Sequence, residues 1–114
     1  MVYSLLMEAL TALADPTRRR IVEMLAERDR SAGEIVEEFA MSAPAISQHL
    51  KVLRDAKLIS TRVKGQHRIQ SLDFRGIKEM EAWLSRTKRL WEKRLDALEK
   101  ELRAEAMRDR EKKY

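Results

Sequence analysis

Leu5, Leu6, Ala9, Leu10 and Leu13 recur at helical spacing and predict a first helix over residues 4–14. Asp15-Pro16 then interrupts the pattern. The carboxylate can cap the next helix, and a proline in its first turn removes no amide hydrogen that the helix would use. Ile21, Val22, Met24 and Leu25 form the inner face of that second helix, expected to end in the charged run 27–30. Ser31-Ala32-Gly33-Glu34 has the spacing of a capping box and opens a short third helix, residues 31–39, with Ile35, Val36 and Phe39 inward. Ala40-Met41 is a turn. Ser42 caps a fourth helix over 42–56 that tolerates Pro44 early and faces the core with Ile46, Leu50 and Leu53.

After Leu58 the period falls to two. Ile59, Thr61 and Val63 alternate with Ser60, Arg62 and Lys64; His67, Ile69 and Ser71 alternate with Arg68, Gln70 and Leu72. Lys64-Gly65-Gln66 joins the two strands into a hairpin, with glycine free to take the positive φ of the turn. A lone hairpin is unstable in water, so it must pack beside the helices. Asp73 can cap a last helix running from 74 to about 110, on the order of 55 Å long. That exceeds the width of so small a domain, so part of it must project, pack on a partner or fray. Beyond Leu102 eight of the last twelve residues are charged, and 103–114 reads as a charged tail. The expected fold is mainly α with a small β part (α+β): about five helices and one hairpin in a single domain, 1–114.

The pair 31–39 and 42–56 is the informative unit. A short helix, a tight turn and a second capped helix make a helix-turn-helix, whose second helix fits the major groove of DNA. With Ile46, Leu50 and Leu53 inward, Ala43, Pro44, Ser47, Gln48 and Lys51 point outward, with Arg54 further along. Gln48 can pair with adenine through two hydrogen bonds, Ser47 can reach base or phosphate, and Ala43 can meet a thymine methyl. Lys51 and Arg54 suit phosphates, which add affinity without sequence information. Arg62, Lys64, Gln66 and Arg68 cluster around the hairpin tip, as in a wing lying on phosphates or in the minor groove.

Charge supports this placement. Between Ser42 and Leu72 lie Lys51, Arg54, Lys57, Arg62, Lys64 and Arg68 against Asp55 alone, a local excess as large as the net +5 of the whole chain. A polyanionic partner, double-stranded DNA, follows. The absence of cysteine excludes a disulfide framework and a thiolate metal site. No apolar run approaches the ~20 residues that span a bilayer, and the amino-terminal segment lacks the basic start and cleavage site of a signal peptide. The expected compartment is the cytoplasm. No enzyme is expected, because two separated histidines and no cysteine form no nucleophile–base pair; Ser47-Gln48-His49 are helix neighbours without triad geometry. No cofactor is expected either.

The run from Ala9 to Asp73 resembles the ArsR-type winged helix-turn-helix repressors. The resemblance rests on Asp15-Pro16-Thr17-Arg18, on Ser47-Gln48-His49-Leu50-Lys51-Val52-Leu53, and on the Gly65 wing. It implies a homodimer that binds an imperfect inverted repeat and blocks transcription, usually until a ligand releases it. It also implies that Ser42, Ser47, Gln48, His49 and Lys51 lie in the reading helix, and that Ser31 sits at a phosphate-contacting helix start. Metal-sensing members use paired cysteines, or histidine and carboxylate ligands on the terminal helices. Here both histidines, His49 and His67, lie elsewhere, so no metal site is expected. His49 falls between Ile46 and Leu53: it is a packed, hydrogen-bonded ring or a phosphate contact. One of Arg18-Arg19-Arg20 should anchor the second helix internally.

On the last helix Met80, Leu84, Thr87, Trp91, Leu95, Leu98 and Leu102 recur at spacings of three and four, a coiled-coil-like seam that Trp83 and Leu90 widen. Leu6, Met7 and Leu10 of the first helix could complete a twofold interface that sets the reading helices about 34 Å apart, one turn of DNA. Two alternatives use the same stripe. Trp83 and Trp91 could line a small-molecule effector pocket at the interface, or the long helix could hold another protein in an antitoxin-like complex.

Overall fold

The computed structural model describes the backbone of residues 2–113 and the side chains of residues 5–112; position 114 of the expected tail lies outside them. The chain divides into two compact units, one up to Glu81 and one from Ala82 onward.

In the first unit α1 (Val2–Ala12) buries Leu6, Ala9 and Ala12, and Leu13 follows in the turn. The two alanines let this helix approach its neighbours closely, which turns Leu10 and Met7 outward. Leu6, expected at a partner surface, is only 4% exposed and belongs to the core of its own chain. α2 (Pro16–Glu27) starts as expected, with Asp15 Oδ2 accepting from the Arg18 amide at 3.0 Å, and buries Ile21, Met24 and Leu25.

The charged run after α2 hides a short strand, β1 (Arg30–Ser31). It leads into α3 (Ala32–Glu37), whose capping box is complete: the Glu34 amide donates to Ser31 Oγ at 3.1 Å and the Ser31 amide to Glu34 Oε1 at 3.2 Å. α3 stops two residues before Phe39, which still packs on the core. α4 (Ala43–Asp55) is capped by Ser42 Oγ, which accepts from the Ala45 amide at 3.3 Å. It buries Ile46, Leu50 and Leu53 as the stripe requires.

The end of α4 is a Schellman motif built on a lysine. The Leu58 amide donates to the Leu53 carbonyl and the Lys57 amide to the Arg54 carbonyl, with Lys57 at φ 58°. Leu53 and Leu58, both buried, supply the accompanying apolar contact. β2 (Ile59–Lys64) and β3 (His67–Leu72) then form the hairpin, turning at Gly65 with φ 63°. The sheet has three strands in the order β1-β3-β2, all antiparallel, with Arg30 opposite Gln70 and Ile59 opposite Leu72. Gln70 is buried, and the Thr61 hydroxyl satisfies its Oε1 at 2.7 Å. The sequence pattern reveals the hairpin but not β1, because two residues carry no period.

α5 (Phe74–Lys113) begins on Asp73, whose Oδ1 accepts from the Arg75 amide at 3.0 Å. The Arg75 guanidinium closes over the same carboxylate at 2.6 Å and holds it below the usual carboxylate range. Gly76 lies against the end of α4, its amide donating to the Lys57 carbonyl at 2.9 Å. Ile77 and Met80 pack on the core from this first stretch. The second unit is the remainder of α5, helical to Lys113 where an end near 110 was expected. Its last turns are rich in Glu, Ala, Arg, Met and Lys, all strong helix formers, and Arg103 pairs with Glu99 one turn back at 2.7 Å. No helix among the described residues is long and apolar enough to cross a membrane.

Candidate nucleic-acid interface

The α3–α4 pair, with its connection over residues 38–42, is a helix-turn-helix, and β2–β3 follows as a wing. The packing of Ile46, Leu50 and Leu53 inward fixes the rotation of α4. That rotation leaves Ser42, Ala43, Pro44, Ser47, Gln48 and Lys51 exposed together. The side chains of Ser47 and Gln48 make no hydrogen bond to the described residues, so their donors and acceptors are available to a ligand. A bidentate amide beside a hydroxyl on an exposed α4 suits base edges. Lys51 bridges to Asp55 at 3.0 Å, both groups well exposed, and Arg54 is half-buried. Such an exposed pair is worth little and opens readily toward a competing phosphate.

Ser31 is half-buried at the start of α3, its oxygen accepting the capping bond from the Glu34 amide. At the wing, Lys64, Gln66 and Arg68 are exposed around Gly65, and Lys64 and Arg68 pair with no acid among the described residues. Val63 is 74% exposed because the hairpin extends past the core it packs on. Arg62 is held differently from its wing neighbours. Its guanidinium donates to Asp29 Oδ2 at 3.1 Å and to Ser71 Oγ at 2.7 Å, tying both wing strands to the segment before β1. Hydrogen bonding from Ser71, then from Arg62, holds the Asp29 carboxyl below its ordinary pKa. Sequence periodicity could not find this clip, since Asp29 and Arg62 meet only through the β1–β3 pairing.

A second cluster lies behind α4. Arg18 is the arginine that anchors: Nε donates to the Ala12 carbonyl at 2.6 Å and Nη2 to the Thr11 carbonyl at 3.4 Å. Its Nη1 lies 3.3 Å from His49 Nδ1, with Asp15 Oδ2 at 3.9 Å from the same nitrogen. The backbone N–H of Arg18, and to a lesser extent the Arg18 charge, keep Asp15 below the usual carboxylate range against its partial burial. Arg19 and Arg20 are exposed.

On the second unit Leu84, Trp91, Leu95, Leu98 and Leu102 are all more than half exposed, Leu90 likewise, while Thr87 is half-buried and donates to the Trp83 carbonyl at 2.9 Å. A shallow hollow of about 390 Å³ is lined by Thr87, Leu90, Trp91, Lys93 and Arg94. On α1 and α4, Met7, Thr11, Val52 and Ala56 line a second. No three His, Asp or Glu side chains converge among the described residues.

Known proteins share this arrangement. A family model described as "Bacterial regulatory protein, arsR family" matches residues 15–61. The chain is 45% identical over 75 residues to the HTH-type transcriptional regulator Rv2034 of Mycobacterium tuberculosis, covering 66% of this chain and 70% of that one. It is 41% identical over 73 residues to the transcriptional repressor SdpR of Bacillus subtilis, covering 64% and 81%. Among solved structures, an ArsR family transcriptional regulator superposes with TM-score 0.73 at 31% identity, covering 78% of this chain and 92% of its own. An ArsR-like regulator from Rhodococcus gives the same TM-score at 27% identity, covering 84% and 91%.

Proposed function

This chain belongs to the ArsR family of bacterial regulatory proteins, a DNA-binding transcriptional regulator and not an enzyme, and we propose that it is a homodimeric repressor of an inverted-repeat operator. The observation that carries the reading is the exposed face of α4, where the side chains of Ser47 and Gln48 make no hydrogen bond among the described residues, beside Ala43 and Pro44. Gln48 takes an adenine through paired bonds, Ser47 a neighbouring base or phosphate, and Ala43 a thymine methyl. Lys51, Arg54 and the hydroxyls of Ser42 and Ser31 hold the flanking phosphates. Lys64, Gln66 and Arg68 grip the backbone from the wing, while Arg62 sets the wing's orientation through Asp29.

The second copy binds along the stripe Leu84, Thr87, Trp91, Leu95, Leu98 and Leu102 of the second unit. So many apolar side chains in water on one helix face favour burial against a matching helix, and a twofold pairing presents two α4 helices to successive major grooves. Selection of bound fragments from random duplex DNA tests the reading: it should enrich two oppositely oriented half-sites about one helical turn apart. Recovery of unenriched sequence would refute it.

A further inference from the structure

We propose that Arg18 is a positioning residue that holds His49 in a single neutral tautomer, with the proton on Nε2, so that this ring N–H donates to a DNA phosphate; the second step rests on the DNA-binding reading above.

A guanidinium has only donors, so the 3.3 Å approach of Arg18 Nη1 to His49 Nδ1 requires that nitrogen to be the acceptor. A neutral imidazole accepting at Nδ1 carries its proton on Nε2. Asp15 pulls the other way, because its Oδ2, 3.9 Å from Nδ1, would attract a proton there. Arg18 prevails because it is fixed: Ala12 and Thr11 carbonyls hold the rest of the guanidinium, and the Asp15 carboxylate already accepts the Arg18 amide.

The other ring edge faces outward. The His49 side chain is 18% exposed and its Nε2 has no hydrogen-bond partner among the described residues. Among those residues the sole fully buried side-chain nitrogen or oxygen without a partner is Arg30 Nε, so His49 Nε2 reaches solvent. On α4 the ring lies between the core stripe of Ile46, Leu50 and Leu53 and the exposed crest of Ser47, Gln48 and Lys51. A group on that flank faces a strand backbone when the crest enters the groove. Its partner is therefore a phosphate oxygen, and the contact is blind to sequence. Being neutral, it displaces no counterion and leaves the salt slope unchanged.

Long-range ¹H–¹⁵N spectra of the ¹⁵N-histidine-labelled protein test the first step, with His67→Gln removing the only other histidine signal. At about pH 8, above the ordinary imidazole range, His49 should show a protonated Nε2 and a bare Nδ1; a proton on Nδ1 overturns the proposal. Arg18→Met should move the proton toward Nδ1 and Asp15, and an unchanged spectrum from that variant, if folded, also overturns it. Should it fail to fold, the spectrum of the Arg18-containing chain carries the test alone. For the second step, His49→Leu should weaken cognate and random duplexes alike, by about tenfold, with the salt slope unaltered. His49→Gln, whose amide nitrogen lies the same number of bonds from Cβ as Nε2, should restore most of that loss. Unimpaired binding by His49→Leu, or a loss confined to the cognate duplex, refutes the contact. If the parent chain binds no duplex at all, the functional reading falls and the contact with it, while the tautomer result stands separately.

Discussion

Replacing Gly76 with alanine should destabilise the protein, although helix propensity alone predicts the reverse. In an unobstructed helix the change gains about 1 kcal/mol. At Gly76 the added Cβ would lie 2.7 Å from the Ala56 carbonyl oxygen, 2.8 Å from that of Lys57 and 3.0 Å from Leu58 Cδ2. Two of these are backbone atoms of the turn that closes α4, and they cannot rotate aside. The first turn of α5 would have to retreat, stretching the 2.9 Å bond from the Gly76 amide to the Lys57 carbonyl. Overpacking of this kind costs about 1–3 kcal/mol and the weakened hydrogen bond about 1 more, so the net loss should be roughly 1–3 kcal/mol. Gly33→Ala is the matched control. It lies in the first turn of α3, its new Cβ would meet only Ser31 Oγ at 3.9 Å, and it should stabilise by about 0.5–1 kcal/mol. Urea unfolding followed by circular dichroism, at fixed protein concentration, measures both. If Gly76→Ala matches or exceeds the parent while Gly33→Ala behaves as stated, the docking of α5 on the α4 turn is misassigned.

Three further outcomes follow from the same structure. Asp73 titrates below its ordinary value because Arg75 hydrogen-bonds its carboxylate. Its contribution is therefore full above about pH 4 and is lost as the pH falls through the lowered folded value. Asp73→Asn should cost about 1 kcal/mol at neutral pH and flatten the acid limb of an unfolding series; an unchanged limb would remove Asp73 from the account. Affinity for any duplex should fall steeply with salt, and Lys64→Ala should reduce the slope of log K against log salt by about 1, as read by fluorescence anisotropy. Trp91→Lys with Leu95→Lys should shift sedimentation toward the monomer without loss of helix content, and a persisting dimer would place the interface elsewhere.

What the sequence discloses is the local chemistry. Asp15, Ser31 and Ser42 are legible as caps because a side-chain oxygen answers an amide two or three residues on. The α4 stripe is equally plain, since one face of one helix meets the core, and Gly65 marks the hairpin turn. What stays hidden depends on partners distant along the chain. β1 exists through its pairing with β3, and Arg62 faces Asp29 through that pairing, though its spacing places it with the wing's other basic groups. Leu6 and Leu10 look equivalent by period. The small Ala9 and Ala12 select which of them enters the core, and a one-dimensional stripe does not show that choice. Gly76 carries no signal at all, because its role is the space that another turn occupies.

The division of labour between α4 and the wing is tested most directly by measuring Gln48→Ala and Lys64→Ala on one selected duplex and on a scrambled one. Gln48→Ala should lose about 1–3 kcal/mol, roughly 5- to 150-fold, on the selected duplex and little on the scrambled one. Lys64→Ala should weaken both equally, leaving their ratio intact. Equal losses on both duplexes from Gln48→Ala would contradict base reading by α4.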